Sequence, residues 1–466
     1  MTFLLPDLHC GTRHSILMRI ISPLLRFLNR PAMFKLLFSF ILAWVIFSST
    51  SANSVAQGSE TPQVTLRFVT MKADNRKVWD EALARFEQAH PHIKIEREIA
   101  PHSSTAYHDL LTQKLKNRDP SMDLFLMDVI WPAEFATAGW ALRLDDYYSI
   151  EERSQFLQAT VKAGTYRGHV YGVPSRIDSG MLYYRMDLLR TYGFAPPSTW
   201  EELVRQATII VDGERKHHPA LRGYSGQFKQ YEGLVCDMLE FVGSHNGSFV
   251  TEDGSQSTLA RTETTRAVQF VRDAIIHQLA TRAVLMYQEP ESLAVFVQGK
   301  AVFHRNWPYA WGLANDPRHS KIVGKVGVAV LPHFSGGSSV SALGGWLYGI
   351  SAFSEHPDEA WKFIEFMTSE EMQKYFAVQA ALAPSRIALY ADPEVLEVNP
   401  QFNDLFPVFQ TAQPRPRTPV YPIVSNILQR YFSRVLAFPE TDIIEEAKEA
   451  DRQINRFLNL VQEVRR

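Results

Sequence analysis

Residues 123–132, DLFLMDVIWP, carry the pattern that decides the fold class. A short apolar run of this kind is typical of a strand that is covered on both faces, and this run ends in Asp128. Pro132 then stands where the first turn of a helix accepts proline. Because α/β folds bind ligands beyond the carboxyl ends of such strands, Asp128 is a candidate binding residue. A helix cap is the alternative role for its carboxylate.

Short apolar strands and amphipathic helices alternate on both sides of this stretch. TLRFVT at 65–70 and IKIERE at 93–98 are typical of strands, and KVGVAVLP at 325–332 alternates with period two. Thr199 and Glu202 form the pattern of a helix capping box. Apolar residues at helical spacing predict three further helices, with the positions Val78, Trp79, Ala82, Leu83 and Phe86, then Trp361, Ile364 and Met367, then Ile443, Ala447, Ala450, Ile454 and Leu458. The order of elements predicts an α/β protein.

The amino-terminal segment has the composition of an export signal. Residues 33–56 hold a basic residue, an apolar run from Leu36 to Phe47 that is short for a membrane span, and small residues suited to a signal peptidase. We expect residues 1–56 to be a signal peptide and the protein to be periplasmic, with an uncleaved membrane anchor as the alternative. Cys10 lies in this leader, so only Cys236 remains and no intrachain disulfide is expected.

Charge and composition exclude several classes of function. The formal net charge is −2 for the whole chain, and it becomes −6 without residues 1–56, whose net charge is +4. Basic residues are dispersed, so the sequence has no electrostatic footprint for nucleic acid. His217 and His218 have no cysteine partners, and no glycine-rich loop carries a phosphate-binding lysine. No metal and no cofactor are therefore expected.

Aromatic residues beside glycine and proline suggest a carbohydrate site. Trp307, Trp311 and Trp346 lie in NWPYAWG at 306–312 and GGW at 344–346, outside periodic apolar segments. Rigid apolar rings suit the C–H faces of a sugar, and Asp128 and Asp178 could accept its hydroxyl hydrogen bonds. The two glycines indicate that some group approaches the backbone closely. Core packing of the rings remains the alternative.

Five segments resemble the solute-binding proteins of carbohydrate ABC importers, most closely the trehalose/maltose-binding branch. They are FLMDVIWPAEFATAGW (125–140), QYEGLVCDMLEFV (230–242), RNWPYAWGL (305–313), GKVGVAVLPHF (324–334) and LGGWLYGIS (343–351). The resemblance implies two α/β lobes, joined by a hinge of crossing segments, that close on a sugar between them. It also implies a monomer that delivers the sugar to ABC permease subunits with their ATPase.

The resemblance assigns residues to the sugar one position at a time. The implied sugar-contacting residues are Asp128, Asp178, Trp307, Gly344, Gly345, Trp346 and Arg415, with Tyr309 and Trp311 as weaker candidates. At three further family positions this chain has Asn75 (or Asp74), Tyr107 and Arg176, where the family tends to place glutamate, arginine and tyrosine. These departures leave the second sugar ring open, so the expected ligand is trehalose, maltose, sucrose or glucosylglycerol. An ion pair within the protein is one alternative role for Arg176, and contact with an acidic group of the ligand is another.

The resemblance also implies the domain organisation. The amino-terminal lobe should comprise 63–180 and 341–402, and the carboxy-terminal lobe 181–340 and 403–466. The chain should cross between them at 178–182, 340–345 and 403–416. Two other functions stay open, namely a periplasmic subunit that presents the sugar to a receptor and a glycoside-acting enzyme. Nothing in the sequence argues for the two differently protonated carboxylates that glycoside hydrolysis needs, so we expect no enzyme.

Overall fold

A computed structural model describes residues 63–72 and 75–463. The expected signal peptide at 1–56, with Cys10, and the alternative site residue Asp74 lie outside the described residues. Within the described ranges, no helix combines the length and the apolar character needed to cross a membrane.

The described residues alternate between strands and helices, as the sequence predicted. The strands are β1 (Val64–Met71), β2 (Ile93–Ala100), β3 (Leu124–Asp128), β4 (Thr165–Tyr166), β5 (His169–Val170), β6 (Val173–Ser179), β7 (Met181–Arg185), β8 (Arg222–Ser225), β9 (Ala301–Asn306), β10 (Val326–Ala329) and β11 (Leu343–Ile350). The helices are α1 (Arg76–Ala89), α2 (Ser104–Lys116), α3 (Pro132–Thr137), α4 (Ile150–Arg153), α5 (Gln158–Ala163), α6 (Met186–Thr191), α7 (Trp200–Glu214), α8 (Glu232–Ser244), α9 (Thr262–Phe270), α10 (Glu289–Val297), α11 (Ala310–Ala314), α12 (Pro357–Met367), α13 (Glu370–Ala380), α14 (Pro393–Val398), α15 (Gln401–Thr411), α16 (Tyr421–Ala437) and α17 (Ile443–Glu463). A π-helical turn (Val271–Leu279) continues α9, and 3₁₀ turns cover Arg282–Met286 and Ile387–Ala391.

The first sheet has the strand order β2-β1-β3-β11-β6. β1 is parallel to β2 and β3, whereas β11 is antiparallel to β3 and β6. All five residues of β3 and all eight of β11 are buried, because both strands lie inside the sheet and helices cover its faces. The chain thus brings β11, from late in the sequence, between two strands from its first half.

The second sheet has the order β10-β7-β9-β8. β9 is antiparallel to β7 and parallel to β8, and β10 is antiparallel to β7. A second apolar core includes Val302 and Phe303 of β9 and Leu234 and Phe241 of α8, while Tyr183 of β7 and Val326 of β10 pack with the core of the first sheet. The two sheets therefore organise two lobes, named lobe 1 and lobe 2 here after the first and second sheet.

The helices follow the predicted apolar spacing. The five predicted core positions of the last helix, from Ile443 to Leu458, are all buried in α17. Thr199 Oγ1 caps α7 by accepting the N–H of Glu202 at 3.2 Å. The return bond of the capping box goes to Ser198 instead of Thr199, since Glu202 accepts the N–H of Ser198 at 3.0 Å. Cys236 is buried in α8, as expected, and has no disulfide partner among the described residues.

Three chain segments meet where the two sheets are joined. Gly180 links β6 of the first sheet directly to β7 of the second, and Ser341 Oγ donates to its carbonyl at 2.8 Å. Gln413 N–H donates to the carbonyl of Ser341 at 2.8 Å, and Leu343 N–H donates to that of Gln413 at 2.7 Å. Backbone hydrogen bonds thus tie the crossing segments to one another. The exact lobe boundaries at 180, 340 and 402 stay a prediction.

Candidate ligand-binding site

The register of three neighbouring strands gathers most of the predicted site residues at one edge of lobe 1. Trp346 on β11 lies opposite Asp128 on β3 and opposite Arg176 on β6. Gly344, two residues earlier on β11, lies opposite Asp178. Since these pairs lie where the sheet meets the crossing segments, residues far apart in sequence form one surface facing lobe 2.

Arg415 joins two carboxylates, one from each lobe, and we call Asp128, Arg415 and Glu232 the Arg415 network. The Nη2 of Arg415 donates to Asp128 Oδ1 at 2.8 Å, and its Nη1 donates to Glu232 Oε1 at 2.7 Å. All three side chains are at least nine-tenths buried. Burial raises the pKa of Asp128, and the positive charge of Arg415 opposes this shift. The charge of Arg415 thus stabilises the two buried carboxylates beside it, Asp128 and Glu232.

Glu232 is the first residue of α8, and further hydroxyl groups hold its carboxylate. Tyr421 donates to Oε1 at 2.5 Å, and Ser425 donates to Oε2. The backbone N–H of Glu232 also donates to Thr105 Oγ1 at 3.4 Å. Because Thr105 lies in the first turn of α2 in lobe 1, this bond brings the N-terminal ends of two helices from opposite lobes into direct contact.

Asp178 is paired with Arg176 on the same strand, and we call these two residues the Arg176 pair. Arg176 Nε donates to Asp178 Oδ2 at 3.3 Å, and its guanidinium lies 5.6 Å from the ring centroid of Trp346. Burial raises the pKa of Asp178, and the positive charge of Arg176 opposes that shift. The ion pair that was one alternative role for Arg176 is present in the structure.

Trp346 belongs to an aromatic cluster of lobe 1. It is 7% exposed, and its ring centroid lies 5.9 Å from those of Tyr107 and Trp131. Tyr107 is fully buried, with its hydroxyl 2.9 Å from the carbonyl of Val69 and 2.7 Å from that of Leu126. These contacts give Tyr107 a role inside the sheet, because its hydroxyl already has protein partners. Its assignment to the ligand stays a prediction.

The glycine pair of β11 is approached closely by protein groups. A side chain at Gly345 would place Cβ 2.6 Å from the carbonyl oxygen of Arg176, and its φ of +121° disfavours other residues. A Cβ at Gly344 would lie 3.1 Å from the ring of Trp307. The neighbouring strand and this ring thus explain both glycines, and the expected contact of their N–H groups with a sugar stays a prediction.

Trp307 reaches the site from lobe 2 and is partly exposed. Its Nε1 donates to Glu289 Oε1 at 3.2 Å, and the guanidinium of Arg305 lies 3.8 Å from its ring centroid. A positive charge at that distance is attracted to the face of the indole ring. Trp307 is therefore held at its edge by a carboxylate and on a face by a cation.

Two further aromatic candidates follow on the same segment. Tyr309 directly precedes α11 and is partly buried. Trp311 lies within α11, and its Nε1 donates to the carbonyl of Val398 in α14 at 3.3 Å. The segment after β9 therefore contacts a helix that follows β11, so Trp311 has a packing role.

Asn75 lies just before α1 and is partly buried. Its Oδ1 and the Nε of Arg415 are both buried, and neither has a hydrogen-bond partner among the described residues. Buried polar atoms normally have partners, so each of these atoms calls for an additional group such as a ligand or a water.

The sequence did not identify Glu232, Glu289 or Arg305 as parts of the site. Glu232 and Glu289 each open a helix in its first turn, where acidic residues are common for reasons of helix stability alone. Arg305 lies in the second, polar half of β9, after three apolar residues, and all six residues of the strand are buried. A charged residue inside a buried strand is the one signal that could have drawn attention to it.

The model of the family described as Bacterial extracellular solute-binding protein matches residues 72–374. The chain therefore belongs to the bacterial extracellular solute-binding protein family. A probable ABC transporter-binding protein of Deinococcus radiodurans is 37% identical over 319 residues, which are 68% of this chain and 75% of that relative.

Solved structures share the fold. Maltose-bound MalE3 of T. maritima is 37% identical, with a TM-score of 0.79, and the match covers 85% of this chain and 99% of that chain. A ribitol complex from Agrobacterium radiobacter K84 is 22% identical, with a TM-score of 0.77 over 85% of this chain and 99% of the other. These likenesses confirm the predicted two-lobe periplasmic-binding-protein fold.

Proposed function

We propose that this protein is the sugar-binding subunit of an ABC importer and that it captures an α-glucoside between its two lobes. Closure around the sugar removes water from it and completes its hydrogen bonds. The closed form then presents a surface that a permease can distinguish from the open form, because ligand binding shifts the population towards closure. The sugar is released to the permease, and the importer's ATPase drives its passage.

The observation that carries the proposal is the Arg415 network. One of its carboxylates ends β3 of lobe 1 and the other begins α8 of lobe 2, and Arg415 bonds to both. Both lobes thus contribute polar side chains to the same place, as a site that forms by closure requires. Trp307 and Gly344 meet a short distance away, which adds an aromatic ring to the polar groups.

The charges of the site favour a neutral ligand. The carboxylates of Asp128 and Glu232 share Arg415, and Asp178 is paired with Arg176. An anionic or cationic ligand would have to displace one of these partners, at the cost of leaving a buried charge unpaired. A polyhydroxyl compound can instead bridge existing groups, since each hydroxyl both donates and accepts. Arg415 Nε supplies an open donor within the Arg415 network, and Asn75 Oδ1 supplies an open acceptor at a position that the resemblance assigns to the ligand.

The relatives narrow the choice of ligand. The name of the D. radiodurans relative supports an ABC transporter, and the maltose in T. maritima MalE3 supports an α-glucoside. Ribitol in the more distant structure is a polyol, so polyols belong in any test of specificity.

Isothermal titration calorimetry of the purified protein tests the proposal. The panel comprises maltose, trehalose, sucrose and glucosylglycerol, with ribitol and glycine as comparison compounds. We expect at least one α-glucoside to bind with micromolar or tighter affinity, or about 8 kcal/mol of binding free energy. Recovery of that sugar intact after prolonged incubation would separate a binding protein from a glycoside-acting enzyme.

Tighter binding of glycine than of every sugar would contradict the proposal, as would no heat from any α-glucoside. Preference for ribitol over all the glucosides would be consistent with a binding subunit of an ABC importer, but it would contradict the α-glucoside as its ligand.

A further inference from the structure

A buried ion cluster lies behind Trp307 in lobe 2. Arg305 on β9 donates from Nε to Glu240 Oε2 at 2.8 Å and from Nη2 to Glu240 Oε1 at 2.5 Å. Asp237 Oδ1 lies 3.3 Å from Arg305 Nε, and Gln227 Oε1 accepts from Nη1 at 3.2 Å. Arg305, Asp237 and Glu240 are at most 1% exposed, so their charges are withdrawn from solvent.

One side of this cluster contacts the crossing segments. Glu240 Oε1 accepts the backbone N–H of Ala342 at 3.1 Å, in the segment that leads into β11. Gly180, between β6 and β7, packs so closely that a Cβ there would lie 1.8 Å from Glu240 Oε1 and 2.6 Å from Arg305 Nη2. Two of the three crossing segments, at Gly180 and at Ala342, therefore contact the carboxylate of Glu240.

The other side of the cluster contacts the aromatic ring. The guanidinium of Arg305 lies 3.8 Å from the centroid of the Trp307 ring, and the ring edge packs against Gly344 of β11. A planar guanidinium fixed by two carboxylates offers a rigid face for stacking, because its fork is held in one orientation. The plane of Trp307 is thus set by a group that also touches the crossing segments.

We propose that Arg305, held by Asp237 and Glu240, is a positioning residue that fixes the plane of Trp307 and couples it to the crossing segments between the lobes. Movement at Ala342 and Gly180 then changes the hydrogen bonds of Glu240, and through Arg305 the orientation of the ring. The contact of Trp307 with a sugar rests on the proposed function, whereas the link between the ring and the crossing segments does not.

Glu240→Gln separates the two tasks of this carboxylate with almost no change of shape. The glutamine has one oxygen and one NH₂ group. In one orientation the glutamine oxygen keeps the bond to the N–H of Ala342, and the side-chain NH₂ then faces a donor of Arg305. In the reverse orientation the NH₂ faces the N–H of Ala342, which is also a donor. One of the two contacts is lost in either case. Glu152→Gln is the matched control, since Glu152 bonds to buried Arg386 in lobe 1.

Two measurements need no sugar. In near-UV circular dichroism we expect Glu240→Gln to change the tryptophan bands in the wild-type background and to leave them nearly unchanged in Trp307→Phe. Spin labels on Glu371→Cys and Arg215→Cys, both exposed, report the distance between lobes, while buried Cys236 stays unlabelled. Glu240→Gln should shift or broaden that distance distribution, and Glu152→Gln should not.

The third measurement is a double-mutant cycle on maltose affinity. We expect Glu240→Gln to weaken binding about tenfold in the wild type and less than about twofold in Trp307→Phe, as coupled residues behave. Equal losses in both backgrounds, with unchanged dichroism and distances, would overturn the proposal. If maltose does not bind, the cycle uses the α-glucoside of the panel that does. If none of them binds, the proposed function fails, yet the two sugar-free measurements still decide the link between ring and crossing segments.

Arg305→Lys covers the case in which Glu240→Gln does not fold. Lysine keeps a positive charge between the two carboxylates but lacks the planar face. The same dichroism change, present with Trp307 and absent with Trp307→Phe, supports the positioning role, and unchanged spectra in both backgrounds contradict it.

Discussion

The Arg415 network and the Arg176 pair hold their aspartates in different ways. Asp128 depends on a cation from the third crossing segment, and that cation also serves Glu232 of the other lobe. Asp178 depends on Arg176, two residues away on the same strand. The first arrangement spans both lobes, whereas the second is contained within one strand of lobe 1.

This difference in arrangement predicts which substitutions the protein tolerates better. A change in the Arg415 network disturbs three segments together, so the network ties binding to the fold. A change at Arg176 alters one local pair and leaves the lobes joined. Arg176, where the resemblance implies a departure from the family, lies in the local half of the site. We therefore expect the Arg415 network to hold one sugar ring strictly, and the Arg176 side to hold the other part of the ligand loosely.

The largest effect should come from Arg415→Met. This change leaves two buried carboxylates without their cation, and the free energy of unfolding should fall by about 3 to 5 kcal/mol. Chemical denaturation without sugar measures the loss. Arg318→Met, which removes an exposed arginine from its pair with Asp316, is the control and should leave stability almost unchanged. Similar small losses in both variants would show that the network adds little to the fold.

The two tryptophans should differ in what their removal costs. Trp346 is enclosed by Tyr107 and Trp131, so Trp346→Ala should lower the free energy of unfolding by about 3 kcal/mol or more. Trp307 is partly exposed, so Trp307→Ala should lower stability less and cost about 2 to 4 kcal/mol of sugar binding. Denaturation and calorimetry on both variants make the comparison. A stability loss at Trp307 equal to that at Trp346 would contradict it.

The pH dependence of stability should distinguish Asp178 from Asp187, which has the same spacing from an arginine. Burial raises the pKa of Asp178 in the folded state, so the stability tied to this group falls as pH rises through that raised value. Relative to wild type, Asp178→Asn should therefore be more stable at pH 7 than at pH 4.

Asp187→Asn is the control with the opposite sign. Burial opposes the shift at Asp187, but two bonds from Arg185 lower its pKa. The ionised form then stabilises the fold above the ordinary pKa of an aspartate, so this variant should be less stable relative to wild type at pH 7 than at pH 4, and most of the difference should appear as pH falls further below 4. Denaturation at both pH values gives the two differences, and equal signs for the two variants would refute the assignment.

The smallest effect on the fold should come from Arg176→Tyr. Stability should fall by about 1 kcal/mol, less than in Arg415→Met, because only one buried carboxylate loses its cation and that carboxyl, whose pKa burial already raises, can take up a proton instead. The order of affinity among maltose, trehalose, sucrose and glucosylglycerol should change without loss of glucoside binding. An unchanged order would show that Arg176 serves only as the partner of Asp178.

Much of the fold could be predicted from local sequence, because apolar period and helix signals act over a few residues. The last helix and β3 follow directly from such patterns. Glu232 could not be found in this way, since its partner Arg415 lies 183 residues away and only the tertiary fold brings them together. The glycine pair predicts that some group approaches the backbone closely, and Trp307 and β6 do so in the structure, whereas contact with a sugar stays a prediction. A backbone that needs space gives the same sequence signal whichever group occupies it.

Hydrogen exchange with and without maltose, followed by mass spectrometry, tests most directly the claim that the sugar lies between both lobes. We predict slower exchange in the presence of maltose at the start of α2 and around β11 in lobe 1, together with the start of α8 and residues 305–312 in lobe 2. Protection confined to one lobe, or binding of maltose with no protection at the crossing segments, would contradict the account.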